Sequence, residues 1–195
     1  MTSIDPGAST AEQILDLACD LAQTRGFNAF SYRDLAQEIG IRSASIHHHF
    51  PTKADLGKAM IRRYRERFAE RLQEIDGGGS SPLEKLRAFV GLYGQTARSE
   101  CGVCLGGVLA AELLTLAPEV QAELKEFFTQ AEHWLAEVLA AGAATGEITL
   151  QGPARGAAVA SVATLQGAMM VARAHGDVES FDAASGWLLA SLSGS

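Results

Sequence analysis

Phe30-Ser31-Tyr32-Arg33-Asp34-Leu35-Ala36-Gln37-Glu38-Ile39-Gly40-Ile41-Arg42-Ser43-Ala44-Ser45-Ile46-His47-His48-His49-Phe50-Pro51-Thr52-Lys53 reads as two short helices joined at a glycine, with a third helix following at once. Ser31 with Asp34, and Thr52 with Asp55, repeat one cap logic. A hydroxyl takes an orphan helix N–H, and the acidic side chain three residues on reaches back to another. Gly40 suits the left-handed backbone that ends a helix. Ala36 and Ile39 on the first helix, and Ile46 and Phe50 on the second, fall at spacings of three and four and can bury a small shared seam. Arg42, Ser43, Ser45, His47 and His48 are left facing outward, gathered at the N-terminal half of the second helix. That is the layout of a helix-turn-helix, whose second helix enters the major groove of DNA.

The residue types suit that task. Arginine forks onto guanine, and hydroxyls or imidazoles reach phosphates and base edges. Lys53, opening the next helix, is placed for a phosphate. A helical hairpin inside an ordinary core, with a solvated polar face, would show the same spacing, so spacing alone leaves both readings open. The three histidines do not suggest a metal: adjacent side chains on a helix diverge by about 100° and cannot converge on one ion. His49 is expected to pack or hydrogen-bond within its domain, and neither metal nor cofactor is expected.

Outward from this stretch, helical periodicity dominates and no alternating strand pattern is convincing. Thr10 with Gln13 reads as a capping box opening a helix with the apolar row Ile14, Leu17, Ala18, Leu21 and Ala22, which ends near Gly26. The helix from Lys53 carries Arg62, Arg63, Arg65, Arg67 and Arg71 and stops at the linker-like Gly77-Gly78-Gly79-Ser80-Ser81. Ser81-Pro82-Leu83-Glu84 then starts a helix running to about Ser99. Further helices are expected over Cys104–Leu116, Pro118–Ala141, Pro153–Ala174 and Phe181–Leu192, with a turn at Gly146–Gly152. The fold class is all-α with about nine helices. A DNA-binding domain is expected over 8–56 with a connecting helix at 53–76, and a second domain over 81–195.

The net charge of −7 argues at first against nucleic acid, but its distribution does not. Residues 1–72 hold ten Lys/Arg and nine Asp/Glu, whereas residues 73–195 hold six and fourteen. A near-neutral head can dock on phosphate while the acidic body stays clear. No apolar run reaches the roughly 18 residues of a membrane span, and the N-terminus lacks the build of a signal peptide. Three cysteines without a spaced framework fit a reducing compartment. A soluble, cytoplasmic protein without a membrane partner is expected.

The run from Thr10 to about Leu56 resembles the DNA-binding region of the TetR/AcrR family of bacterial transcription regulators. The pieces that match are Ile14-Leu15 with Ala18, Gly26-Phe27, Ser31 with Asp34-Leu35-Ala36, Gly40-Ile41, Ser45-Ile46, and His49-Phe50 with Lys53. The order of these pieces and the all-helical remainder both agree with that family. One departure stands out: residue 47, usually tyrosine there, is histidine here, which exchanges a phosphate-binding hydroxyl for an imidazole. On this resemblance, Ser31, Tyr32, Arg42, Ser43, Ser45, His47, His48 and Lys53 are the candidate DNA-binding residues.

The resemblance further implies a homodimer through the last two helices (153–174 and 181–192) and an effector pocket among the middle ones. The sequence supports the interface independently, with small residues Ala157, Ala160, Ser161, Ala163, Thr164 and Gly167 and bulk from Trp187, Leu188 and Leu192. Candidate pocket residues are Phe89, Leu92, Tyr93, Thr96, Cys104, Val108, Glu112, Trp134 and Met169. Each, taken singly, is equally a core residue.

Cys101-Gly102-Val103-Cys104 opens a helix, where the dipole favours thiolate. It reads either as a thiol switch answering oxidants or electrophiles, or as a small buried Cys104 with an incidental neighbour. Cys19, on an apolar helix face, is structural. No thioredoxin-like strand pattern, phosphate loop, metal quartet or nucleophile–base pairing supports an enzyme. The expectation is a dimeric, ligand-responsive regulator, a repressor that leaves a palindromic operator when a small-molecule effector binds.

Overall fold

The computed structural model describes residues 9–193, which form nine α-helices and two 3-10 turns. Helix α1 spans Thr10–Arg25 and buries Ile14, Leu15, Ala18, Leu21 and Ala22. Its cap sits one residue earlier than the sequence suggests. Ser9 holds the extended backbone of an N-cap and exchanges hydrogen bonds with Glu12, because Thr10 is already helical. A 3-10 turn at Phe27–Ala29 leads into α2 (Tyr32–Ile39), capped reciprocally by Ser31 and Asp34. Gly40 ends α2 at φ 80°, ψ 29°, the left-handed conformation the sequence calls for. Helix α3 covers Ser43–His49, and α4 covers Lys53–Gly77, opened by Thr52 and Asp55 as expected.

Ser81 and Glu84 cap α5 (Pro82–Ala97), with proline in the first turn. The helix expected over 104–116 is broken: α6 is Leu105–Ala111, and a 3-10 turn follows at Leu113–Thr115. Glu112 leaves the helical region between them (φ −98°, ψ 9°), and the Thr115 hydroxyl donates to its carbonyl at 2.7 Å. Helices α7 (Pro118–Thr145), α8 (Ala154–His175) and α9 (Glu179–Leu192) complete the chain. Among the described residues the sole β-pairing is an isolated antiparallel bridge between Ile148 and Ser193.

Packing divides the chain into two units, and the glycine run is not their boundary. The first comprises the chain up to Glu66 together with Leu105–Phe127, and the second comprises Arg67–Cys104 and the chain from Phe128 onward. Residues 105–127 thus return to the N-terminal unit after α5 has been laid down in the other. In the first unit Ile14, Leu35, Ile46, Leu56, Met60 and Ile61 are fully buried, with Leu105, Leu109 and Val120 from the returning segment. Each such side chain contributes about 1.5–3 kcal/mol by leaving water.

The returning segment is also tied by charge. Glu123 on α7, 8% exposed, accepts from Arg62 Nε at 2.9 Å, Arg62 Nη2 at 2.6 Å and Arg65 Nη2 at 3.2 Å. Burial alone would raise its pKa, but the Arg62 hydrogen bonds and the two guanidinium charges outweigh it and hold the carboxyl below its ordinary value of 4.5. A carboxylate with a depressed pKa stabilises the fold fully above its unfolded pKa and loses that stabilisation as pH falls through the folded one. Because Arg62 is half exposed, Glu123→Gln should cost about 1–3 kcal/mol at pH 7. The difference from the parent should shrink below about pH 4.5, which urea unfolding across pH measures.

In the second unit α8 packs on α9 and on α5. Leu86, Phe89, Leu135, Leu139, Leu165, Met169 and Phe181 form its core. Against the expectation of no membrane-length apolar run, α8 is long and apolar enough to cross a membrane by length and composition alone. Its inner row, Ala158, Val162, Leu165, Ala168, Met169 and Ala172, is buried within the chain.

Candidate DNA-reading surface and ligand-binding body

The sequence places eight residues on the DNA side, and the structure separates them. Arg42, His47 and His48 are exposed, and Ser43 and Ser45 are partly exposed beside them on α3. Ile46 on the opposite face is fully buried, and Phe50 nearly so, so the helix is held by its apolar side and presents its polar one. Arg42 is the N-cap residue of α3 but makes no side-chain capping bond, so its guanidinium is not spent on the helix.

Tyr32 and Lys53 are held differently. Tyr32 is 9% exposed and shares its hydroxyl proton between the carbonyls of Phe50 (2.9 Å) and Thr52 (2.6 Å). Burial, reinforced by the Asp55 charge, pushes its pKa up to about 12. This phenol pins the end of α3 to the start of α4 rather than standing ready for phosphate. Lys53 donates to the Phe30 carbonyl and lies over the rings of Phe27 and Phe30, 5.0 and 4.6 Å from their centroids. Burial lowers its pKa, against the opposing pull of Glu112 and Asp34. Ser31 is engaged in its cap, donating to Asp34 Oδ2 at 2.7 Å.

His47 is held by contacts within its own domain. Its ring meets Tyr32 edge-on at 4.7 Å, and its Nδ1 lies 3.2 Å from the Pro51 carbonyl. A carbonyl accepts only, so Nδ1 is the donor in that contact and Nε2 points away from it. His49, expected to pack or hydrogen-bond within its domain, is exposed, with ring contacts to His48 (5.4 Å) and Phe50 (6.4 Å). Sequence reasoning passed over Arg33 and Ala44, both exposed on the same two helices. Ala44 lies between Ser43 and Ser45 in sequence, so its exposure was open to the same spacing argument.

Behind the reading helices, Glu112 does not join the pocket group assigned from sequence. It belongs to the first unit, where it accepts from the Phe27 amide (2.9 Å), the Asn28 amide (3.0 Å) and Asn28 Nδ2 (2.6 Å). Asn28 Nδ2 also donates to Thr115 Oγ1 at 2.7 Å. Val108 lies in the first unit as well.

Phe89, Leu92, Tyr93, Thr96, Cys104, Trp134 and Met169 all fall in the second unit. Phe89 stacks on Trp134, with centroids 5.6 Å apart and planes 17° from parallel, and meets Tyr93 at 5.2 Å and Phe68 at 6.2 Å. Trp134 Nε1 donates to Asp76 at 2.9 Å, and Lys85 bridges the same carboxylate at 2.6 Å. Cys104 is buried and Cys101 half-buried, and all three cysteines are thiols. Burial pushes the Cys19 thiol up to about 12, which suits a structural role.

The C-terminal helices leave an apolar face uncovered in the single chain. Four of the six large exposed hydrophobic residues among those described, Val159, Met170, Val171 and Trp187, lie on α8 and α9. Ala160, Ala163 and Gly167 are exposed between them at helical spacing. Ser161, Leu188 and Leu192, by contrast, are buried within the chain: the Ser161 hydroxyl donates to the Ala157 carbonyl, and the two leucines serve the internal core.

A cap-locked helix-turn-helix with an exposed polar second helix, carried with a helical body, defines a DNA-binding regulator. Known proteins agree. Residues 14–60 match the family model of the bacterial regulatory proteins of the tetR family, and residues 82–186 match the tetracyclin repressor-like C-terminal domain. The crystal structure of a TetR-family transcriptional regulator from Agrobacterium tumefaciens is 38% identical, covers 94% of this chain and 97% of its own, and superposes with a TM-score of 0.90. A TetR regulator from Legionella pneumophila is 32% identical over 96% of this chain and 99% of its own, with a TM-score of 0.87. The transcriptional repressor KstR2 of Mycolicibacterium smegmatis is 37% identical over 79 residues, which span 40% of this chain and 38% of that repressor. The chain belongs to the TetR family of transcriptional regulators, and it is not an enzyme.

Proposed function

We propose that the chain is a homodimeric repressor that occupies a palindromic operator in the cytoplasm and leaves it when a small molecule binds the helical body. The observation that carries this reading is the outward set on α3, Arg42, Ala44, Ser45, His47 and His48, on a helix whose opposite face is buried. One such helix reads too few bases to find a genomic site, and a twofold pair doubles the readout. The uncovered face of α8 and α9 supports the pairing, with small residues for close approach and Trp187, Met170 and Val171 for apolar area. The likeness to KstR2, a transcriptional repressor, supports the direction of control. An effector acts by binding better to a state whose two heads do not match the half-site spacing.

The test is a gel shift against the DNA upstream of the chain's own coding region. Arg42→Ala removes one fork onto a base at each half-site. At about 1–3 kcal/mol per fork, the dimer should lose roughly 30-fold or more in specific affinity while keeping its helical content. Affinity should also fall steeply with salt. No sequence-specific shift at moderate salt would overturn the reading.

A further inference from the structure

Among the described residues, four buried side-chain atoms have no hydrogen-bond partner, and three of them belong to the second unit: Tyr93 Oη, Gln130 Oε1 and Gln166 Nε2. They come from three different helices, α5, α7 and α8. Tyr93 is 3% exposed and stands one turn after Phe89 on α5, while Gln130 stands one turn before Trp134 on α7. Since Phe89 and Trp134 are stacked, the two orphaned groups flank a single aromatic pair. Gln166 lies beside the phenol, close enough to temper the rise in its pKa that burial imposes, yet without a hydrogen bond of proper geometry. The other groups that bear on the phenol are Cys104 and the carboxylate of Glu132.

Native interiors rarely leave polar atoms unpaired, and three in one body point to a partner that arrives from outside. Their chemistry describes it. Tyr93 O–H and Gln166 N–H donate, whereas Gln130 C=O accepts. Two donors suit one carbonyl oxygen, and the acceptor suits an adjacent N–H or O–H. The Glu132 carboxylate repels an anion. Phe89, Trp134 and Phe68 supply an aromatic wall.

We propose that the second unit binds an uncharged, ring-bearing molecule that carries a carbonyl oxygen next to a hydrogen-bond donor, through Tyr93, Gln166 and Gln130, with its apolar body against Phe89 and Trp134. This assignment rests on the effector-responsive reading above and names the chemical class of that effector. A carboxylate or phosphate of the same outline is disfavoured by the nearby Glu132 carboxylate.

Isothermal titration of the full chain with 2-naphthamide, 2-naphthoate and 2-methylnaphthalene tests the assignment. The amide offers both a carbonyl and an N–H, the naphthoate replaces them with an anion, and the hydrocarbon offers neither. The amide should bind at least tenfold more tightly than the naphthoate. Tyr93→Phe and Gln166→Leu should each cost fivefold or more in amide affinity and leave hydrocarbon affinity unchanged, a pattern that loss of structure would not produce. Equal or tighter naphthoate binding, no amide binding, or unchanged amide affinity in Tyr93→Phe would each overturn the assignment. The gel shift run at saturating probe separates the two readings. If the amide binds as expected but leaves DNA bound, the site stands and the effector reading fails. If naphthoate alone releases DNA, the effector reading stands and the ligand class is overturned.

Discussion

Gly26→Ala is expected to lower the unfolding free energy of the first unit by about 2–4 kcal/mol, measured by urea denaturation at neutral pH. Gly26 adopts φ 96°, ψ 149°, a region essentially closed to residues with a Cβ and costing about 1–3 kcal/mol to enforce. A Cβ there would also stand 2.6 Å from Glu112 Oε1. The carboxylate is the flexible end of its side chain and can swing away, so the clash itself is cheap. What is lost is its hydrogen bonding to the amides of Phe27 and Asn28, of which the part-buried Phe27 amide is the costlier to strand. Glu112→Ala in the parent should cost about 1–3 kcal/mol for the same bonds. The double variant should cost less than the sum of the two singles, because both break one latch. Strict additivity would show that Gly26 is conserving backbone shape alone.

Phe89→Ala is expected to cost more, about 3–5 kcal/mol, because it opens a cavity at a fully buried position. Three rings face that cavity, Trp134, Tyr93 and Phe68, and each aromatic pair contributes about 0.5–1.5 kcal/mol beyond its area. Phe89→Leu keeps most of the volume and should lose markedly less. The chain has two tryptophans, so a Trp187→Phe background lets Trp134 alone report the transition. Since Trp187 is 69% exposed, that background should not disturb the core of a single chain.

Much of the reading head was legible because its signals are local. Ser31 with Asp34 and Gly40 each act on residues within four positions, and α2 begins and ends where they dictate. The exposure of Arg42, His47 and His48 followed from the places of Ile46 and Phe50, whereas that of Ala44 and His49 was not drawn from them. What local pattern could not show is where a polar side chain is spent at long range. Glu112 looks like the polar residue of an apolar pocket, yet its partners lie 85 and 84 positions earlier. Tyr32 reads as a hydroxyl for phosphate until the carbonyls of Phe50 and Thr52, brought round by the turn, claim it. Gln130 and Gln166 were overlooked for the converse reason: a helical glutamine normally reads as solvated, and only the tertiary fold strips water from one atom of each. The spacing of Gln130 to Trp134, matching that of Phe89 to Tyr93, was the available clue.

The return of residues 105–127 to the N-terminal unit bears on how such regulators can be recombined. A chimera that grafts this chain's residues up to Glu66 onto a foreign body would carry the reading helices intact in sequence. It would still strand the Phe27 and Asn28 amides without Glu112, the Arg62 and Arg65 guanidiniums without Glu123, and the pocket of Leu105, Leu109 and Val120 without its filling. The exchangeable module is therefore discontinuous. Swapping DNA specificity by cutting at the glycine linker would transplant the letters of the head without the segment that keeps it folded.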